Sequence, residues 1–349
     1  MNPIFSLMWA ALCGAGAQEL NVPLPWLLGP MFGIAFLSFA GMTERQPASA
    51  RRLGQLVIGL TLGLYFTSAV ISEISRLAGW MVLAAFFCLG LSALFARFLQ
   101  QFSNVSGYTA LYASAIGAAG DMAIQAQRMG ADGAAVATSH AVRVMIVVTA
   151  IPFAADFYSD TALRPLASLT SQFPVIGWPE LGAIGVIGAG LAWVLNRWRL
   201  PNPWLLAPMV VAALYAATGN ETRMPDFIVA GGSVLIGWSV GQYMTRDFFT
   251  SAPKVVAGAA LMTIGMLLLS FLFAYALSEW IGIALITAIV STSPGGIAEM
   301  AITAKVLGLG APLVTAFHFL RLISVILLTK ALGQKLIALG WLKESSPKP

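Results

Sequence analysis

The chain has 349 residues, of which 58% are hydrophobic and only 9% charged, with a mean hydropathy of +0.84 and a formal net charge of +5. A soluble domain of this size cannot cover its surface with so few charges, so the composition excludes that class and points to a polytopic membrane protein. The excess of basic residues is therefore read by position, because those beside membrane spans set orientation, and no basic tract of the nucleic-acid-binding kind is present.

In chain order, apolar runs long enough for spanning helices, roughly 17 to 25 residues, occupy 3–19, 24–41, 53–72, 77–99 and 133–155. A second set lies at 180–196, 202–219, 228–245, 254–277 and 311–333. The first run has no basic region ahead of it and reads as a span, not a signal peptide. Two further apolar segments, 106–129 and 284–307, contain glycines, an acidic residue near the middle and, in the second, a proline. Each either crosses as a broken helix or dips into the bilayer and returns. A hydrophilic linker at 157–179, carrying Asp160, Arg164, Pro165, Pro174 and Pro179, separates a first membrane repeat, 1–156, from a second, 180–343, and a short cytoplasmic tail, 344–349, follows.

The division into repeats rests on self-similarity. Shifted by 178 residues, the chain matches itself without gaps: Pro23, Pro25, Trp26, Leu27, Leu28, Pro30 and Met31 fall on Pro201, Pro203, Trp204, Leu205, Leu206, Pro208 and Met209. Gly59 and Gly63 fall on Gly237 and Gly241. Residues 109–145 share eleven identities with 287–323, among them Gly117 with Gly295, Met122 with Met300, His140 with His318 and Arg143 with Arg321. Internal duplication with matched glycine breaks is the sequence mark of a transporter core.

Charge distribution bears on the broken segments. If both are re-entrant, thirteen basic residues, including Arg45, Arg199 and Lys348, fall on the cytoplasmic side and four outside; if both cross, the split is ten to seven. The first arrangement obeys the positive-inside rule better. It makes the expected fold an all-α membrane protein of two inverted repeats, each with five spans plus one re-entrant or broken helix, both termini cytoplasmic and the linker outside.

The sharpest motif is Ser293-Pro294-Gly295-Gly296-Ile297-Ala298-Glu299. Proline and paired glycines free main-chain groups from helical bonding, and a helix that restarts after them points its positive end into the protein, toward an anion or a polar group. The copy holds Ser114, Gly117 and Asp121 without the proline. The plain alternative is that these glycines only permit close helix packing. His140 with Arg143, and His318 with Arg321, lie three residues apart and share a helix face. Intramembrane charges mark functional sites, although an arginine–carboxylate pair that merely locks the broken element is the competing reading. The histidines are candidate proton relays, or are simply hydrogen-bonded to neighbouring backbone. With no third ligand beside either, no metal or other cofactor is expected. Cys13 and Cys88 sit at non-equivalent positions and are not expected to pair. The proline boxes are read as fixing helix starts, and the Gly-x-x-x-Gly pairs as close helix contacts.

The Pro-Trp-Leu-Leu-Gly-Pro-Met box at 25–31, its copy at 203–209, the Ser-Pro-Gly-Gly of 293–296 and the His-x-x-Arg of 318–321 resemble the AbrB-type bacterial membrane proteins, which carry a duplicated membrane domain. Gly130-Ala131-Asp132 with His140 and Arg143 is similar to the pattern of that family's first repeat. The sequence departs from it at Ile116-Gly117-Ala118, where a second Pro-Gly-Gly belongs. The resemblance implies a bacterial inner-membrane location and labels such as regulator of gene expression or ammonia monooxygenase. The residues themselves favour a secondary transporter, not an enzyme, for a small solute, with an anion as the candidate class. Its site would comprise Ser114, Gly117, Asp121, Arg143, Ser293, Pro294, Gly295, Gly296, Glu299 and Arg321. The expected partners are the solute and the lipid bilayer, with no nucleic acid, and homo-oligomers stay open. A membrane-embedded regulator acting through a partner protein is the alternative, with a membrane monooxygenase last.

Overall fold

The computed structural model describes residues 3–42, 46–159, 173–198, 200, 202–246, 250 and 252–344. Most of the expected linker (160–172), the tail from 345 onward, and Arg45, Arg199 and Pro201 lie outside the described residues. The described chain is helical, with a single isolated bridge between Val175 and Arg223. The helices of the first half are α1 (Pro3–Glu19), α2 (Pro25–Phe39), α3 (Ala48–Gly63), α4 (Ser68–Ser103), α5 (Gly107–Ser114), α6 (Ala119–Arg128) and α7 (Gly133–Ser159). Those of the second are α8 (Trp178–Arg197), α9 (Pro203–Ala217), α10 (Asp226–Gly241), α11 (Pro253–Ile281), α12 (Leu285–Thr292), α13 (Ile297–Val306) and α14 (Ala311–Ala338). The duplication is visible in the elements themselves: α2, α3, α5 and α6 recur as α9, α10, α12 and α13 with both ends displaced by the same 178 residues.

Among the described residues five helices, α4, α7, α8, α11 and α14, are long and apolar enough to cross a membrane, as expected of a membrane protein. The expected spans at 24–41, 202–219 and 228–245 are shorter helices of 15, 15 and 16 residues. At 1.5 Å per residue they reach about 24 Å or less, under the ~30 Å of a bilayer core. Local backbone chemistry sets their starts. Leu24 and Asn202 hold left-handed conformations (φ 53° and 48°) directly before Pro25 and Pro203, so the chain turns sharply and the proline opens the helix. The expected span 53–72 is divided at residues 64–67, between α3 and α4.

Two compact units emerge, and each draws on both halves. The first comprises Met1–Arg76, Thr149–Arg246 and Ile297–Thr315. In it α3 lies along α9, and α10 along α2. A Cβ on Gly59 or Gly63 would strike the carbonyl oxygens of Leu205 or Met209, and one on the equivalent Gly237 or Gly241 would strike those of Leu27 or Met31. Helices in lipid gain little from burying apolar surface against each other, so such close backbone approach supplies the van der Waals contact that holds them. Polar side chains add ties between the halves. Gln46 donates from Nε2 to the Leu235 carbonyl (2.8 Å) and from its main-chain amide to Gln242 Oε1 (2.7 Å), while Gln55 Nε2 donates to Asn202 Oδ1 (2.8 Å).

The second unit comprises Leu77–Val148, Asp247–Gly296 and Ala316–Pro349. Its backbone is the pair α4 and α11, copies of one another. Stepping along α4 through Trp80, Phe87, Phe95 and Phe102, the contacts on α11 step back through Trp280, Phe273, Gly265 and Gly258. The two helices therefore run antiparallel, with Phe87 and Phe273 stacked at 4.1 Å. Leu91 and Leu269, equivalent in the repeat, mark the middle of the pair.

The glycine contacts give a direct expectation for stability. Gly63→Ala adds a methyl where only main chain can yield, and overpacking of this kind costs about 1–3 kcal/mol. Gly90 on α4 faces open space, so Gly90→Ala should be neutral or stabilising by up to ~1 kcal/mol through helix propensity. Thermal unfolding of the two variants in one detergent measures the contrast.

Candidate functional site

Both broken segments adopt the break that their glycines suggested. α5 ends at Ser114, Ala115 is extended (φ −57°, ψ 130°), and α6 restarts at Ala119 after Ala118 (φ −71°, ψ 126°). In the copy α12 ends at Thr292, Ser293 takes φ −58° and ψ 145°, and α13 restarts at Ile297. The last carbonyls of a helix have no partner within it, and in an apolar interior each needs one from elsewhere. The helix that follows each break supplies them.

In the first half His140 Nε2 donates to the Tyr112 carbonyl at 2.9 Å, and Arg143 Nη1 donates to the carbonyls of Ala115 (2.9 Å) and Ser114 (3.4 Å). In the second, His318 Nε2 donates to the Val290 carbonyl at 2.9 Å, and Arg321 donates from Nη1 to Ser293 and from Nη2 to Gly295, both at 2.6 Å. All four side chains are buried. A cation at a helix C-terminus also meets the negative end of its dipole. These guanidinium bonds go to carbonyls at the breaks, where the sequence suggests a carboxylate as one reading. The two guanidiniums are within electrostatic reach of each other and of the Cys88 thiol.

Each break is also pinned to the α4–α11 pair. Ser114 Oγ donates to the Ser92 carbonyl (2.7 Å), and Thr292 Oγ1, at the equivalent position, reaches the Ser270 carbonyl (3.4 Å). Ser92 and Ser270 adjoin Leu91 and Leu269, so both breaks sit at the middle of that pair. Sequence reasoning passed over these two serines, although their identity at the 178-residue offset was a usable signal. The matched methionine has a packing role in the first half, where the Met122 side chain lies 3.0 Å from where a Cβ on Gly117 would stand.

Of the candidate residues, Ser114, Gly117, Arg143, Ser293, Pro294, Gly295, Gly296 and Arg321, with His140 and His318, fall in the second unit at the breaks. Asp121 stands in the first turn of α6 and is half-buried. Glu299 stands in the first turn of α13, counted with the first unit, where its carbonyl accepts from Thr303 Oγ1 at 2.9 Å. Acidic residues suit these helix starts because the dipole is positive there. The far ends of the first broken segment meet: the Asp132 amide, beyond α6, donates to Thr109 Oγ1 in the first turn of α5 at 3.0 Å. Among the described residues no three of His, Cys, Asp and Glu gather as a metal site, and Cys13 and Cys88 are both free.

The arginine geometry is testable apart from function. Lysine is a point charge and cannot bridge two carbonyls two residues apart. Arg321→Lys should therefore lower stability by about 1.5–3 kcal/mol, the range for a bond to a charged group, and Arg143→Lys should do the same through its bonds to the Ala115 carbonyl and to His140 Nδ1, the latter from Nη2 at 2.8 Å. Equal melting temperatures for wild type and both variants would contradict the capping role.

Comparison with known proteins follows the same boundaries. The chain is 28% identical over 357 residues to the uncharacterized protein YhjN of Bacillus subtilis (strain 168), covering 94% of this chain and 92% of that one. It is 26% identical over 339 residues to a protein of Escherichia coli (strain K12) named "Putative regulator AbrB", covering 94% and 96%. The model of the family AbrB, described as transition state regulatory protein AbrB, matches residues 26–336. That match runs from the first proline box through both breaks and both His-x-x-Arg pairs, and the chain belongs to the AbrB family.

Proposed function

We propose that this chain is a secondary carrier, not an enzyme, for a small anion, and that the anion binds between the two breaks. The observation that carries the reading is the pair of buried guanidiniums, each bonded to break carbonyls at matching places, each with its Nε lacking a hydrogen-bond partner. Two like charges held by dipoles alone leave a positive potential, and in a low-dielectric interior an anion is the natural counter-charge.

The architecture is read as inverted. The antiparallel run of α4 against its own copy α11 supports a two-fold axis across helices of membrane-spanning length, hence in the membrane plane. The Asp132–Thr109 bond supports a re-entrant hairpin, since a segment whose two ends meet starts and finishes on one side. Breaks near the middle of the α4–α11 pair then lie near the bilayer midplane, where carriers of this design hold their solute.

Flux into proteoliposomes from a panel of radiolabelled small anions tests the proposal. Glu299→Gln, which keeps size and hydrogen bonding beside the full Ser-Pro-Gly-Gly break, should reduce flux at least tenfold, about 1.4 kcal/mol of barrier, with the protein still folded. Asp121→Asn should cost less. Unchanged flux in Glu299→Gln, or equal losses in the two, would refute the site assignment. Solute binding without flux would favour a regulator that acts through a partner.

The topology has its own test. With Cys13 and Cys88 replaced by alanine, a cysteine substituted for Thr161 should be labelled by an impermeant reagent from outside the cell only. Labelling from the cytoplasm alone would rule out the inverted arrangement.

A further inference from the structure

The two repeats carry identical histidines in different states of hydrogen bonding. A carbonyl only accepts, so the bonds to Tyr112 and Val290 fix the proton of each ring on Nε2 and leave a lone pair on Nδ1. In the first half that lone pair is occupied, because Arg143 Nη2 donates to His140 Nδ1 at 2.8 Å. In the second half the corresponding arm of Arg321 reaches instead to the Gly295 carbonyl, and His318 Nδ1 is buried with no partner.

Other orphaned groups gather on the same side. Ser270 Oγ and Ser291 Oγ are buried without partners, whereas Ser92 Oγ, the equivalent of Ser270, donates to the Cys88 carbonyl and position 113, the equivalent of Ser291, is alanine; the arginine Nε is unpartnered in both halves, and in the first half Ser139 Oγ is too. The groups of the second half adjoin one stretch of chain: Val290 accepts from His318, Thr292 reaches Ser270, and Ser293 accepts from Arg321. Buried polar groups normally find partners, and a cluster that does not is a place for a ligand or a proton.

We propose that His318, through Nδ1, is the proton-binding residue of the carrier and that His140 is not. The proton adds to the Nδ1 lone pair, Nε2–H stays on the Val290 carbonyl, and no other bond changes. Facing the ring are the Val290 carbonyl from α12 and Arg321 on its own helix; Arg143 on α7 and Cys88 on α4 lie within electrostatic reach of Arg321. A further positive charge beside two guanidiniums needs an anion with it. Proton and anion therefore bind together, which makes the coupling ion a proton; this last step rests on the anion-carrier reading, while the assignment of the proton to His318 does not.

Because the chain has only two histidines, uniform 15N-histidine labelling gives two ring systems, assigned with His318→Gln. The full chain in nanodiscs is titrated in acetate buffer from about pH 8 to about pH 5, the range over which imidazole changes charge. The expected result is that the widely split nitrogen signals of His318 collapse to the close pair of an imidazolium while His140 keeps the neutral Nε2–H pattern. A second arm uses Arg143→Gln, which opens His140 Nδ1 and should let that ring titrate too. A His318 that stays neutral throughout, or wild-type rings that titrate alike, overturns the proposal. A proteoliposome flux of zero alongside a titrating His318 would instead count against the carrier reading alone.

Discussion

Breaking a helix inside an apolar medium exposes carbonyls that have nowhere else to go, and the disposal of those carbonyls organises this protein. An unbonded main-chain carbonyl in such a place costs several kcal/mol, so a break persists only where partners are built in. Here the partners stand on the next long helix, with histidine and arginine one turn apart. Histidine reaches back 28 residues to the carbonyl of the last helical turn, and arginine takes those at and beyond the break. The His-x-x-Arg spacing, the break and the helix that follows are thus one device. Loss of any member strands the others.

The same device occurs twice because the chain is duplicated, and the duplication imposes its own geometric condition. α4 meets its own copy running the other way, so a residue and its equivalent face one another's neighbourhoods: Phe95 sits over Gly265, while Phe273, the copy of Phe95, stacks on Phe87, the copy of Gly265. One contact has become ring on glycine and the other ring on ring. In the other unit the condition is stricter. The Gly-x-x-x-Gly pairs of both halves lie under main-chain oxygens, and a main chain cannot adjust as a side chain can, so both copies have stayed glycine.

Much of this was legible in the sequence, for physical reasons that differ by element. The offset, the breaks and the long helices follow from composition and glycine placement, and the helix ends agree where proline opens them. Hydropathy alone overran α2, α3, α9 and α10, because a window average does not register a left-handed residue such as Leu24 or a turn such as 64–67. The partners of Arg143 and Arg321 were not legible either. Sequence shows which acids are near in number, whereas the carbonyls that took those partnerships belong to every residue and leave no signal. Ser92 and Ser270 were hidden among ordinary helix residues, though their repetition could have exposed them.

The deepest difference between the halves is encoded away from the residues that express it. His140 and His318 are identical, as are Arg143 and Arg321, and no inspection of those four positions separates them. The separation comes from the break: Ser293-Pro294-Gly295 presents the Gly295 carbonyl within reach of the guanidinium, and Ala115-Ile116-Gly117 does not hold its copy in the same way. In each half Nη1 serves carbonyls at the break, and the halves differ in the other arm: Nη2 of Arg321 goes to the Gly295 carbonyl and leaves the imidazole open, whereas Nη2 of Arg143 goes to the imidazole and closes it. The difference between Pro294 with Gly296 and Ile116 with Ala118 thus goes with a difference in the hydrogen bonding of a histidine more than twenty residues away, and the duplicated chain has one open polar side.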